Sequence, residues 1–235
     1  MEQDLTTGSV FKRIVYFSLP YLLSYFLQTL YGMADLFITG QFYGVDTITA
    51  VSNGSQIMHM MTVIIVGLAM GTTVTIGHSV GAKCMEQAEK IIGNTITLFM
   101  GIAVAFTVIL VVLVKPIVVL IAAPQEAVAG TSIYLLICFI GIPFITAYNI
   151  ISSIFRGLGD SKSPMYFIGI ACVMNIALDY LFMGAFHMGA AGAALGTVCA
   201  QTFSVLVALW VIRRRKTGIS LKKSDFKIER AAIGQ

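Results

Sequence analysis

The sequence predicts an all-α membrane protein, a bundle of six transmembrane helices. Of its 235 residues, 57% are hydrophobic and only 11% are charged, whereas soluble domains are nearer a quarter charged. The mean hydropathy is +0.89, and the apolar residues suffice for about six spans of roughly 20 residues each. This composition argues against a soluble enzyme, a nucleic-acid-binding protein and a disordered chain.

Charged residues and Gly/Pro clusters separate the first three spans. The first, 14–40, exceeds the apolar core of a signal peptide and lacks a small-residue cleavage site, so we expect it to remain as a helix. The second, 52–80, ends before Lys83. The third, 91–114, ends at Lys115, which is the one basic residue predicted on the outer side.

The last three spans follow the same pattern. The fourth, 131–155, contains Pro143, which permits a kink because proline removes a backbone hydrogen bond. The fifth, 164–183, follows a Gly-rich turn, and the sixth, 190–212, runs into a basic cluster that begins at Arg213. The spacing Gly192–Gly196 in the sixth is typical of close helix packing.

The basic residues fix the predicted orientation. Six spans place both termini and two loops on one side, with 14 of the 15 Lys and Arg residues, and leave one on the other. Because positive residues favour the cytoplasmic side, we expect both termini to be cytoplasmic in a multi-pass protein of the cell membrane. The 14 are Lys12, Arg13, Lys83, Lys90, Arg156, Lys162, Arg213, Arg214, Arg215, Lys216, Lys222, Lys223, Lys227 and Arg230.

Two acidic residues lie inside apolar stretches, where a carboxylate is costly unless it faces a cavity or a partner. Asp35 lies five residues before Gly40 and Asp179 five before Gly184, where the helices are predicted to reach the outer face. At 1.5 Å per residue, each is roughly 8 Å below its helix end. The two carboxylates are therefore predicted at a similar depth.

Other polar side chains fall in the same layer. Gln28 and Tyr31 lie on the Asp35 face at helical spacing, Asn175 lies one turn from Asp179, and Thr197 enters the sixth span at a matching depth. Such residues often only hydrogen-bond helices together, and for Gln28, Tyr31 and Thr197 alone we favour that interpretation. For Asp35 and Asp179 we instead favour a functional role over helix packing.

A pair of buried carboxylates can exchange a proton or hold a small cation. Burial and a neighbouring carboxylate both favour the protonated form of an acid, which is the chemistry of a proton relay, whereas the ionised pair could bind Na⁺. The four cysteines and three histidines are dispersed without metal-type spacing. We therefore expect no other metal site and no cofactor besides the H⁺ or Na⁺ at the two aspartates.

Several segments together resemble the MATE (multidrug and toxic compound extrusion) family of efflux transporters, in the family's order along residues 10–215. They are ADLFITG at 34–40, GTTVTIGHSVGAK at 71–83 with Ala88 following, FRGLGDSKSP at 155–164, NIALD at 175–179 and GAAGAALGT at 189–197.

The resemblance implies a secondary antiporter, not an enzyme, driven by H⁺ or Na⁺ and exporting amphipathic, often cationic drugs or toxic organic compounds. Relatives use residues that match Asp35, Asn175 and Asp179 for ion coupling, with Na⁺ a candidate ligand of the two aspartates. Pocket-lining positions match Gln28, Tyr31 and Thr197. Pro20 matches the position where some members are proposed to bend the first helix.

The resemblance also implies the domain organisation. Family members have two six-helix lobes, and residues 1–215 resemble the amino-terminal lobe, followed by a basic cytoplasmic connector at 216–235 that looks truncated. We expect as partners the lipid bilayer, small organic substrates and either a missing carboxy-terminal lobe or a second copy. The basic tail would attract anionic lipid, and we expect no nucleic-acid partner.

Three alternatives stay open. A flippase of lipid-linked saccharides belongs to the same superfamily, but its groove would carry basic residues, and no Lys or Arg lies deep in a predicted span. An intramembrane aspartyl protease is suggested by the GLGD sequence ending at Asp160, but this aspartate lies in a turn closed by Pro164, and Asp179 precedes a tyrosine instead of following one. A structural or assembly subunit is the third.

Overall fold

The computed structural model describes residues 9–214, which form seven α-helices and one π-helical turn. No strand occurs within this range. The basic segment predicted as a connector, 216–235, lies outside the described residues. The elements are α1 (Val10–Phe42), α2 (Val45–Gly81), α3 (Met85–Leu120), α4 (Gln125–Ile140), α5 (Ile142–Gly157), α6 (Lys162–Asp179), the π turn (Tyr180–Ala185) and α7 (Ala190–Arg214).

The fourth predicted span is two helices, α4 and α5, with a 52° bend between them. Pro143 lies in the first turn of α5, where its missing N–H costs no helical hydrogen bond. Gly141 lies at the break, and a Cβ there would come within 2.9 Å of both methyl groups of Val198. The kink permitted by Pro143 is thus present, and α7 packs closely against it.

Four helical segments are long and apolar enough to cross a membrane, and the bent α4–α5 pair makes a fifth if it is one span. They are α2, α3, α6 with the π turn, and α7. The 33-residue α1 is long enough but is not among them, because Ser, Gln, Thr and Asp interrupt its apolar sequence. On this measure five of the six predicted spans qualify, and the described residues form an all-α membrane protein.

The main apolar core lies between α2, α4 and α7, with Val51, Leu135, Phe139 and Ala193 almost fully buried. Helix α1 packs mainly against α6 and α2. Its buried residues are only Asp35, Ile38 and Thr39, whereas many large apolar side chains elsewhere on α1 are exposed. Surfaces of this kind face lipid or another protein segment.

Tyr43, which follows α1, anchors the outer end of that helix. We call the end nearest Asp35 the outer end, after the orientation predicted from the charges. The Tyr43 hydroxyl donates to the Met183 carbonyl at 3.0 Å and accepts from the Gly189 N–H at 2.9 Å. Gly189 has φ +59°, a conformation that glycine adopts without strain. This turn holds α1 beside the π turn and the start of α7.

Helix α2 begins before the predicted second span, 52–80, and Asp46 lies inside its first turn. A carboxylate there is favourable because the helix dipole places positive charge at its amino-terminal end.

Asp160 caps α6. Its Oδ1 accepts the N–H groups of Lys162 and Ser163, each at 3.0 Å, and its Oδ2 accepts the Ser163 hydroxyl at 2.6 Å. These bonds satisfy amide groups that have no partner within the first turn of a helix.

We expect Asp160→Ala to destabilise the protein by about 1 kcal/mol, the usual cost of losing a helix cap. The measurement is the thermal unfolding midpoint of purified protein in detergent. Asp160→Asn is the matched control, because asparagine keeps an acceptor oxygen and should lose less. Equal midpoints for wild-type and Asp160→Ala protein would contradict the capping role.

Candidate functional site

Four of the polar residues predicted to share a layer meet at the outer end of the bundle. Asp35 on α1, Asn175 and Asp179 on α6, and Thr197 on α7 are 0–9% exposed. The Thr197 hydroxyl donates to Oδ2 of Asp35 at 3.3 Å, and the Asn175 and Asp179 side chains lie beside Asp35. The two carboxylates therefore lie in one layer, as their depths predicted, and they also share one buried site.

Several polar atoms of the site have no hydrogen-bond partner among the described residues. They are Oδ1 of Asp35, both carboxylate oxygens of Asp179 and both amide atoms of Asn175. No Lys or Arg of the described residues forms an ion pair with either aspartate. Two unpaired carboxylates are costly in a low-dielectric interior, so a proton or a small cation is the simplest way to stabilise this arrangement.

The backbone around Asp179 lets α7 come close to the carboxylate. A Cβ on Gly196 would overlap Oδ1 of Asp179 and lie 3.3 Å from its Cγ. Asp179 is the last residue of α6 before the π turn, and π-helical turns often occur at functional sites. The Gly192–Gly196 spacing, predicted as a packing motif, therefore also makes room for the carboxylate.

A cavity of about 580 Å³ lies next to this cluster. Asp35, Thr197, Tyr31 and Gln28 line it, whereas Asn175 and Asp179 are not among its lining residues. Its volume is in the range of cavities that hold small organic molecules. Asp35 thus connects the cavity to Asp179, which lies behind it.

The remaining predicted residues lie along α1. The Tyr31 hydroxyl is buried without a hydrogen-bond partner among the described residues, and Gln28 lies about 10 Å from Asp35 along the helix axis. Helix α1 continues through Pro20, whose carbonyl accepts the Ser24 hydroxyl at 2.8 Å. The bending role of Pro20 stays a prediction.

Some cavity residues were missed by the sequence reasoning. Gln201 lies one turn after Thr197 and is 5% exposed, and its Oε1 accepts no hydrogen bond from the described residues. Asn149 on α5 also lines the cavity, as does Tyr134 on α4, whose hydroxyl is 3.1 Å from that of Ser55. The signal was available for Gln201, because it is four residues from Thr197 and therefore on the same helix face.

A second cavity of about 260 Å³ continues the first toward the inner end. The two share lining residues, including Gln28, His59 and Asn149. Arg156, in the last turn of α5, lines this inner cavity. Arg156 directly follows the predicted fourth span, 131–155, and the fold nevertheless brings it into the lining of this cavity.

Comparison with known proteins identifies the family. A family model described as MatE matches residues 20–181. The chain belongs to the MATE family. The match includes α1 from Pro20 onward and α6 with Asp179, so it contains both aspartates of the site.

Two curated MATE relatives carry names that describe drug resistance or export. The probable multidrug resistance protein YpnP of Bacillus subtilis (strain 168) is 32% identical over 213 residues, which cover 91% of this chain and 48% of the relative. The multidrug export protein MepA of Staphylococcus aureus (strain NCTC 8325 / PS 47) is 27% identical over 199 residues, which cover 84% of this chain and 44% of MepA. The chain spans about half the length of these relatives.

The fold also matches solved MATE structures. One is the outward-facing conformation of a multidrug resistance MATE family transporter of the MOP superfamily, with a TM-score of 0.87 and 26% identity. The match covers 96% of this chain and 50% of that one. The described fold therefore corresponds to one half of a solved MATE transporter, as the resemblance implied.

Members of the MATE family are transporters and not enzymes. In this chain, Asp160 precedes α6 and Asp179 ends it, so the two are roughly 28 Å apart along the helix axis. That separation is too large for the paired aspartates of an aspartyl protease.

Proposed function

We propose that this chain forms the ion-coupling half of an antiporter that exports amphipathic, often cationic organic compounds. The observation that carries the proposal is the buried Asp35–Asp179 pair, which has no basic partner in the described part of the chain and lies beside a cavity of about 580 Å³. The names of the relatives YpnP and MepA support multidrug export as the activity.

The coupling ion is H⁺ or Na⁺. The carboxylates of Asp35 and Asp179, the amide oxygen of Asn175 and the hydroxyl of Thr197 are oxygen donors of the kind that a hard cation prefers. The same pair of carboxylates can share a proton. Either ion reduces the repulsion between the two negative charges.

Ion binding acts on the substrate through α1. Thr197 on α7 is bonded to Asp35 on α1, so a change of charge at Asp35 alters how the two helices are joined. Pro20 weakens the hydrogen bonding of α1 farther in, which lets the inner half of the helix change direction. Asp35, Tyr31 and Gln28 all line the cavity, so this movement changes the surface that a substrate contacts.

A second lobe or a second copy of the chain completes the transporter in this proposal. The chain spans about half of its relatives, and the described residues leave large apolar side chains of α1 and α2 exposed. We place the assembled protein in the cell membrane with the termini of this chain in the cytoplasm, because of the distribution of its basic residues.

The test is transport by the assembled protein in vesicles. Efflux of a fluorescent organic cation is measured with an imposed H⁺ gradient alone and, separately, with an imposed Na⁺ gradient alone. We expect one of the gradients to drive efflux, which would also identify the ion. If efflux is as fast without any ion gradient as it is with either gradient, ion coupling is refuted.

A further inference from the structure

The inner cavity has a lining that differs chemically from that of the outer one. Its polar side chains include Tyr21, Ser24, Asn149, Ser152 and Arg156. Asp and Glu are not among the described residues that line it. The outer and inner cavities together form one cleft, which has the negative charge of Asp35 near its outer end and the positive charge of Arg156 near its inner end.

Within residues 9–214, no acidic side chain forms an ion pair that balances the positive charge of Arg156. Its Nη2 donates to the Ser153 hydroxyl at 3.0 Å, and its guanidinium carbon is 5.4 Å from the centre of the Tyr21 ring. No carboxylate of the described residues forms an ion pair with it. A guanidinium held by a hydroxyl and an aromatic ring keeps donors available for an anion.

Two donors next to this cavity make no hydrogen bond within the described residues. They are Nε of Arg156 and the hydroxyl of Ser152, both of which are buried atoms, and the Tyr148 hydroxyl lies beside the second of them. Ser152 is 2% exposed and lies one turn before Arg156 on α5. A buried donor without an acceptor is costly, and the oxygens of an anionic group in the cavity would supply acceptors.

The neighbouring basic residue shows the ordinary use of such a side chain at a membrane surface. Lys162 is exposed, and its Nζ donates to the Tyr16 hydroxyl at 2.6 Å. It does not line the inner cavity. Arg156 differs because it lines a cavity and has an unused buried donor.

We propose that Arg156 and Ser152 form an anion-binding subsite at the inner end of the cleft, which takes the carboxylate or phosphate group of an amphipathic molecule. This deepens the proposed function, since it uses the same cleft, and extends its ligands from cations to molecules with an anionic group. The anionic group belongs either to a soluble amphipathic compound or to a lipid headgroup.

The test measures binding of dansylglycine, an amphipathic carboxylate, to the full chain in nanodiscs of phosphatidylcholine. Its methyl ester is the uncharged match. The signal is energy transfer from Trp210, the only tryptophan of the sequence, which lies near the inner end of α7. We expect the acid to bind about tenfold more tightly than the ester, the effect of a charge-assisted hydrogen bond.

Variants assign the difference to the subsite. Arg156→Gln should weaken binding of the acid about tenfold and leave the ester unchanged. Arg156→Lys protein should bind the acid with an affinity between those of wild-type and Arg156→Gln protein, because lysine keeps the charge but not the planar donor geometry. Ser152→Ala should weaken binding of the acid by a smaller factor than Arg156→Gln. Lys162→Gln is the matched control and should have no effect.

The result that overturns the proposal needs no variant: equal binding of acid and ester to the unmodified chain. Unchanged acid binding in Arg156→Gln protein would overturn it as well. Nanodiscs that contain phosphatidylglycerol identify the source of the anionic group. If this lipid weakens binding of the acid to wild-type but not to Arg156→Gln protein, the subsite takes a lipid headgroup. If the lipid does not weaken binding of the acid, the subsite takes a soluble compound, and both results support the subsite.

The inference and the proposed function can fail separately. Binding of the acid is measured on wild-type protein without an ion gradient, whereas ion coupling is measured by efflux, so each idea has its own readout. A preference for the acid in protein that shows no ion-driven efflux would refute only ion coupling, whereas ion-driven efflux without a preference for the acid would refute only the subsite.

Discussion

Replacing Asp35 or Asp179 by asparagine is expected to reduce ion-driven efflux by the assembled transporter to the background level. Each substitution keeps the size and shape of the side chain but removes a group that can change its charge. Because the two carboxylates share one buried site and have no basic partner among the described residues, an ion that binds at one affects the other. Either variant therefore removes coupling.

Stability measurements separate this result from misfolding. A neutral amide costs less to bury than an unpaired carboxylate, so the thermal unfolding midpoints of Asp35→Asn and Asp179→Asn protein should equal or exceed that of wild type. Efflux is measured in vesicles with each ion gradient. A fall in both stability and efflux would indicate structural damage instead of lost coupling.

Asp46→Asn is the matched control for both variants. Asp46 lies in the first turn of α2, is exposed, and is outside the cavity lining. The same chemical change there should leave efflux unaltered. If Asp35→Asn and Asp179→Asn protein also exported at the wild-type rate, the assignment of the ion site would be wrong.

The two variants should differ in substrate binding. Asp35 lines the cavity, whereas Asp179 lies behind it. Asp35→Asn should therefore weaken the binding of an organic cation directly, and Asp179→Asn should do so less. Titration of a fluorescent cation without an ion gradient measures this difference.

The sequence could predict the depth of a residue along its helix better than the direction in which its side chain points. Counting residues from Gly40 and Gly184 placed Asp35 and Asp179 in one layer because the rise of an α-helix is nearly constant. The rotation of each helix depends on packing with its neighbours, which no single segment determines. Counting therefore could not show that Asp35 lines the cavity while Asp179 lies behind it.

The same limit explains Arg156 and the α4–α5 break. Pro143 predicted the kink because proline acts locally on the backbone. Arg156 was predicted on the cytoplasmic side from its position beside a turn, but only the packing of α1 and α5 brings Tyr21 and Ser152 around it. The polar residues of α1 likewise become understandable only from the packing, since one side of this helix lines the cleft.

Gly196→Ala is expected to have the second large effect, although it adds one methyl group. The Cβ would overlap Oδ1 of Asp179, and the carboxylate has little room to move because Asp179 is fully buried. Overpacking of this kind typically costs 1–3 kcal/mol, so we expect destabilisation of about 2 kcal/mol. The displaced carboxylate should also bind the coupling ion poorly, which should reduce ion-driven efflux to near background.

Gly101→Ala provides the matched control, because a Cβ at this position of α3 has no heavy atom within 4 Å. Alanine favours a helix more than glycine by up to about 1 kcal/mol, so this control should be as stable as wild type or more so. If alanine destabilises the protein at Gly196 but not at Gly101, Gly196 is required because it leaves space for the Asp179 carboxylate and not because glycine is flexible. Wild-type stability and efflux in Gly196→Ala protein would instead mean that Asp179 can be displaced without loss. In that case the contact between α7 and this carboxylate would have no part in coupling.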